Sequence, residues 1–212
     1  MGALHFPPFY FVKSTSHVEG NLMDMITKIL KRASIDYVVR GYPPKRLYKN
    51  VADGKTDIWV GNKEVPVYEG KIIHSDFPIF QVELRVYTID DKELPSVKEE
   101  LRAKNIITMR GYSYGGMIKF LEDPENKIST DPANSHKSAL LKLKGGRADY
   151  LLDYKYPVSK ELEKTKVKNL KYNTLFKIPL YIMVSKKTPK AEKILHRMEK
   201  AYHQLKKEGK IE

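Results

Sequence analysis

The sequence predicts an α/β fold built from two units, the second inserted into the first, each a mostly parallel sheet flanked by helices. Three observations carry this. Short runs of β-branched and aromatic residues alternate with runs of helical period, the order that gives right-handed crossovers and parallel strands. The alternation runs once and then starts again in the middle, and a long amphipathic helix returns at the end to the first set. No repeat or low-complexity linker separates the sets, so the chain crosses between them twice and the crossings make a hinge. At 212 residues the chain is long enough for two small lobes with real cores.

The elements follow in order. "LHFPPFYFV" (4–12) sets four aromatics around two prolines, and the strand entering it stops at Pro7, because proline lacks the ladder donor and fixes φ. "KSTSHVEGN" (13–21) is polar and turn-rich, and "LMDMITKILKRA" (22–33) is a helix with Asn21 as N-cap. "IDYVVRGY" (35–42) reads as a strand stopped by Pro43 and Pro44, "KRLYKNVADG" (45–54) as a helix closed by Gly54, and "TDIWVGN" (56–62) as a buried strand. The second set comprises strand "ELRVYTI" (83–89), helix "LPSVKEELRAK" (94–104), strand "NIITM" (105–109) and the turn and helix "RGYSYGGMIKFLED" (110–123). Helix "SHKSALLKLKGG" (135–146) and strand "RADYLLDY" (147–154) complete it, and strand "LYIMVSKK" (180–187) follows. The last helix, 188–210, takes Thr188 as N-cap and Pro189 at its first position, with apolar residues at 194, 198, 201, 202 and 205 on one face.

Composition removes several classes of function. The chain is 41% apolar and 31% charged, and no apolar run approaches the roughly 20 residues that span a membrane. Net charge is +13, yet the lysines are scattered beside acids, as in "KEELRAKN" (98–105) and "KELEKTKVKN" (160–169). That pattern reads as a solvated surface, and with no stripe of interleaved aromatics a nucleic-acid partner is not expected. There is no cysteine, which excludes disulfides, thiolate chemistry and cysteine zinc sites, and the six histidines lack metal-ligand spacing. No cofactor or metal is expected. The glycines of "RGYSYGG" serve turns, and without a Lys-Ser/Thr ending they do not make a P-loop. No Ser–His–Asp or paired-carboxylate arrangement stands out. "MGA" before the first strand looks like a cloning scar on a mature sequence whose leader has been removed.

In open α/β sheets a ligand lies beyond the carboxyl ends of strands. Three such ends here are "FPPFYF", "GYPP" and "GNKE", all rich in aromatic, Gly, Pro or Asn residues. Aromatics on a stiff proline loop suit a plug or a stacking surface; Phe9 and Trp59 read as core, and of Tyr10 and Phe11, which alternate, at most one faces a ligand.

The order of motifs resembles the bacterial extracellular solute-binding proteins of family 3. "FPPFYF" with "EGNLMDMITKIL", "YPPKRLYKNVADGKTDIWVG", "IIHSDFPI", "ITMRGYSYG" and "LLKLKGGRADYLLD" are similar to successive blocks of that family. The resemblance implies a type 2 periplasmic binding fold with the ligand cleft between two lobes. Lobe 1 is expected over 1–86 and 182–212, lobe 2 over 87–181, with the hinge near 84–89 and 178–184. It implies a periplasmic, monomeric, non-catalytic receptor that closes on a small polar solute, an amino acid or related compound, and presents it to an ABC importer permease in the inner membrane. A ligand-sensing domain or a dehydratase-like derivative of the same fold is the alternative.

Carried over by position, the resemblance implies a site in which Phe6 stacks on the ligand with Tyr10 nearby and Tyr42 forms another wall. Gly61 and Asn62 receive an amino group, Ser113 offers its hydroxyl and N–H groups to an anion, and Asp153 sits near the acid that pairs with an α-ammonium. The family's carboxylate-clamping arginine falls near Tyr68, and no arginine lies between Arg46 and Arg85. Arg46, Arg85 or Arg110 then supplies a replacement cation, or the ligand lacks a carboxylate.

Overall fold

The first unit is assembled from both ends of the chain. The computed structural model describes residues 1–89, 91–165 and 167–211. It separates into a unit of residues 1–80 and 179–212 and a unit of residues 81–178. In chain order the first contains β1 (Gly2–Ala3), the hairpin β2 (Phe11–Ser14) and β3 (His17–Glu19), α1 (Asn21–Arg32), β4 (Arg40–Gly41), α2 (Pro44–Ala52), β5 (Ile58–Gly61) and β6 (Ile72–His74).

Helix α1 buries Leu22, Met23, Ile26, Ile29 and Leu30, the stripe expected of its period. It starts from Gly20 rather than from a side-chain cap at Asn21. Gly20 has φ +125°, and a Cβ there would lie 2.5 Å from the Phe9 carbonyl oxygen, so the approach of the proline loop requires glycine. The strand expected over 35–42 contracts to β4, which pairs in parallel with β1. The reason is its partner. Strand β1 ends at Ala3, and the chain then folds into a turn in which Phe6 and Tyr10 bridge, with a cis peptide between Pro7 and Pro8. The polar stretch after it forms the β2–β3 hairpin rather than an open loop.

The second unit contains most of β7 (Phe80–Thr88), then β8 (Asn105–Met109), α3 (Ile118–Glu122), β9 (Ser129–Ala133), α4 (His136–Lys144), β10 (Tyr150–Tyr154), α5 (Lys155–Thr165) and the first half of β11 (Lys171–Ser185). Strands run in the order β7–β10–β8–β9, with β9 and β10 parallel to β8 and β7 antiparallel to β10. Leu84, Val86, Ile106, Ile107, Leu140, Leu151 and Val158 are fully buried around this sheet. Ser135 caps α4 by accepting from the Ser138 backbone, while the Ser138 hydroxyl accepts from the Ser135 backbone.

The helix expected at 94–104 is only the single 3-10 turn Lys98–Leu101. One turn is enough to bury its one fully enclosed residue, Leu101, and Ala103 with φ +56° ends it. Strand β9 and helix α5 are additions to the sequence reading.

The chain returns to the first unit along β11, whose second half runs antiparallel to β5 and β6. Helix α6 (Ala191–Lys207) then packs Leu195, Met198, Ala201, Tyr202 and Leu205 inward, on α1 among others. It begins three residues later than expected because Lys190 takes a left-handed conformation, and the Thr188 hydroxyl donates to Asp57 instead of capping. Among the described residues no helix is long and apolar enough to cross a membrane.

Candidate functional site

In the first unit the residues of interest gather at the carboxyl end of β5. Tyr10 is 1% exposed; its hydroxyl donates to the Val60 carbonyl at 3.1 Å, and its ring lies 5.5 Å from that of Trp59. Burial holds its ionisation far above the ordinary phenol value. Phe6 packs at 5.3 Å on Phe9, which meets Phe80 edge-on at 4.9 Å. Trp59 is in the core as its strand position suggests, but its indole runs along the strand over Gly61. A Cβ on Gly61 would lie 2.5 Å from the indole nitrogen, so the glycine is what makes room for the ring.

That packing leaves donors unmet. Trp59 Nε1, Asn62 Nδ2 and the Tyr68 hydroxyl are buried with no hydrogen-bond partner in the protein. The Asn62 amide is oriented by its other end, since Oδ1 accepts from the Glu64 backbone at 3.0 Å and Nδ2 must face away from it. Tyr68 packs edge-on against Tyr48, and burial raises its ionisation well above the usual range. Buried donors left unpaired cost about 1–3 kcal/mol each, and a fourth such group, the Tyr87 hydroxyl, lies in the second unit.

Lys63 adds charge beside them. Tyr181 on β11 pairs with Gly61, and the Lys63 ammonium lies 4.5 Å over the Tyr181 ring. It is also 3.4 Å from His74 Nε2. His74 Nδ1 is 2.9 Å from the Ser75 carbonyl, which only accepts, so Nδ1–H donates to it and Nε2 is the atom that faces the lysine.

In the second unit the charges are matched. Asp153 is 0% exposed; one oxygen lies 2.7 Å from His136 Nδ1 and the other accepts from the Tyr154 backbone at 2.7 Å. Burial disfavours the charged imidazole, but the field of Asp153 and its hydrogen bond outweigh it, so the His136 pKa is raised above 6.5. Tyr112 stands 3.4 Å from His136 Nε2, and the rings of Tyr112, Tyr114 and Tyr154 pack on one another around it. The Tyr114 hydroxyl accepts from the Met109 backbone, tying the turn after β8 to the strand. Arg85 donates to Glu83 through Nε and Nη2 at 3.1 and 2.6 Å, with its guanidinium 3.9 Å over the Tyr172 ring. Lys155 takes the other Glu83 oxygen at 3.2 Å. The Arg85 hydrogen bond, against a small burial effect, holds the Glu83 carboxyl below its ordinary pKa.

The remaining sequence candidates are dispersed within their units. Tyr42 is half-buried beside β1, its N–H donating to the Ala3 carbonyl, and Arg46 is exposed on α2. Arg110 is exposed, with Nε donating to Asn134 at 2.8 Å. Ser113 is 9% exposed, and its carbonyl accepts from Gly116 and Ile118. Sequence reading does not single out Lys63, Tyr181 or His136. Lys63 follows Gly61–Asn62 directly, a signal that was available; the His136–Asp153 pair spans 17 residues and left none. Among the described residues no cluster of His, Asp and Glu could hold a metal.

The sheet order and near-complete coverage place the chain among known structures. A histidine kinase sensor domain with similarity to periplasmic binding proteins matches with a TM-score of 0.80 at 18% identity, over 99% of this chain and 90% of that one. The fold is that of the periplasmic binding proteins. The substrate-binding protein of an amino acid ABC transporter has the same fold, with a TM-score of 0.72 at 18% identity over 98% of this chain and 92% of that one. So does a mutant of the arginine-binding ArgBP from T. maritima, with a TM-score of 0.73 at 22% identity over 99% and 89%. By sequence alone, no family model and no curated protein matches the chain. The periplasmic binding fold is thus the one that the order of motifs implies.

Proposed function

We propose that this chain is a non-catalytic solute receptor that closes its two units around a small polar solute. The observation that carries this reading is the set of buried, unpartnered donors at the carboxyl end of β5, Trp59 Nε1 and Asn62 Nδ2 foremost, in a fold shared with binding proteins. Tyr10, Gly61, Asn62 and Phe6 form the ligand side of the first unit, with Phe6 stacking and Tyr42 as a flanking wall. Tyr68 takes the place of the family's arginine. Ser113, Arg85 and Arg110 serve from the second unit, Arg46 stands at the rim, and Asp153 acts through His136 and the turn after β8. The two crossings, near 84–89 and 178–184, serve as the hinge. In the periplasm such a receptor hands its solute to the permease of an ABC importer and works as a monomer.

The test is a thermal-shift screen of the full chain against amino acids, organic acids, sugars, polyamines and small peptides. A true ligand at a hundred times its dissociation constant stabilises the fold by about 2.7 kcal/mol. That amounts to a rise of several degrees. A panel with no shift at all sinks the reading. The TM-score of 0.80 to a sensor domain favours a second one, in which the same closure signals to an attached partner. Pull-down with a cognate permease separates the two.

A further inference from the structure

Resting on the solute-receptor reading, we infer that the solute is a small carboxylic acid without an α-ammonium group, held by Trp59, Asn62 and Lys63. A zwitterionic amino acid needs an acidic partner for its ammonium as well as donors for its carboxylate. The two units supply these unequally.

At the end of β5 the unmet side-chain groups of Trp59 and Asn62 are donors. Trp59, 4% exposed, has an indole N–H without an acceptor, and Asn62 Nδ2 is likewise buried and unmet. The Lys63 ammonium spends one hydrogen on His74 Nε2 and lies on the Tyr181 ring, which leaves further hydrogens for an anion. The neighbouring acid, Glu64, is exposed, and its backbone N–H donates to Asn62 Oδ1. An indole N–H, an amide N–H and an ammonium suit an acid's oxygens, with lysine supplying the charge that arginine supplies in the resembled family.

Among the described residues of the second unit, the acids in contact with its candidate residues are already matched. Both Asp153 oxygens are engaged and the residue is sealed from solvent. Glu83 is neutralised by Arg85 on one oxygen and Lys155 on the other. An incoming ammonium would have to compete with these cations, and displacing Arg85 would leave its buried guanidinium without its carboxylate. A 2-hydroxy or 2-oxo acid brings oxygens where an amino acid brings N–H groups, so it meets the open donors without that displacement.

The experiment is titration calorimetry of the full chain with pairs that differ only at the α-carbon: lactate and alanine, malate and aspartate, 2-hydroxyglutarate and glutamate, 2-hydroxyisocaproate and leucine. Inorganic phosphate, glucose and putrescine complete the panel. At least one acid should bind ten times or more tightly than its amino acid partner. Lys63→Gln should weaken that acid at least tenfold while leaving the melting temperature without ligand in place, and Trp59→Phe should weaken it too. Tighter binding of any amino acid than of its paired acid overturns the inference but leaves the receptor reading standing. So does binding of phosphate, glucose or putrescine in place of the acids, or an acid whose affinity ignores Lys63→Gln. A chain that binds none of these compounds overturns both.

Discussion

The two units differ in what most of their buried polar groups meet, although the Tyr87 hydroxyl of the second unit is also buried without a partner. At the end of β5, Trp59, Asn62 and Tyr68 keep donors that nothing in the protein accepts. Around β7 and β10, the buried Asp153 and Arg85 each have a close ionic partner. Matched charges hold elements together, here α4 to β10 through the buried His136–Asp153 pair and β7 to α5 through the half-buried Glu83–Lys155 pair. Unmatched donors do the reverse, lowering the stability of the empty protein and creating a place where an acceptor gains by arriving. On the proposed function, the contrast separates a stretch that holds from one that would receive a ligand.

The largest test of that contrast strikes the holding side. Asp153→Asn takes the carboxylate from the buried His136–Asp153 pair, and breaking such a pair costs about 3–5 kcal/mol. The melting temperature should fall by roughly 10 °C or more by calorimetry, and a change of only a degree or two would mean that the pair is not structural. Gly61→Ala strikes the receiving side: its Cβ would collide with the Trp59 ring. Displacing the indole should cost about 1–3 kcal/mol in urea denaturation, and ligand affinity should fall with it. Tyr68→Phe sharpens the comparison by its sign. Removing an orphaned hydroxyl should stabilise the protein without ligand by about 1 kcal/mol; destabilisation would show that the hydroxyl has a partner after all.

The smallest effect is that of pH. His136 faces Asp153, Tyr112 and the more distant Glu161, and it binds its proton more tightly folded than unfolded. Its contribution is therefore complete below the ordinary imidazole pKa of 6.5 and is lost as pH rises through the raised folded value. The melting temperature should drift down as pH rises above the ordinary imidazole value, and the drift attributable to this group should vanish in His136→Gln. A drift that survives the substitution belongs to another group.

What the sequence made legible follows from how local each feature is. Helices α1 and α6 and strands β8 and β10 carry their period within themselves, so residues such as Ile26, Met198 and Ile107 announce their burial. Strands β4, β6 and β9 are short and partly polar, and exist because a neighbour pairs with them; the 35–42 strand failed for want of such a neighbour. The helix at 94–104 failed because only Leu101 had a core to enter. Among the site residues, Gly61 and Asn62 could be named from position. The unmet N–H of Trp59 could not, because it depends on which side of the ring Gly61 leaves open and on what Tyr10 bonds instead. His136 and Asp153 meet only through the packing of a helix on a strand.

The assembly of the first unit from both ends of the chain has a consequence in time. The second unit lies wholly within residues 81–178 and can fold as soon as it has been synthesised. The first 80 residues must wait for β11 to return and for α6 to cover Leu22, Ile26 and Ile29 of α1. At roughly 5–20 residues per second that wait lasts on the order of ten seconds. Through it the apolar stripe of α1 stands open, the interval in which a chaperone or a secretion machinery that needs an unfolded chain has its opportunity.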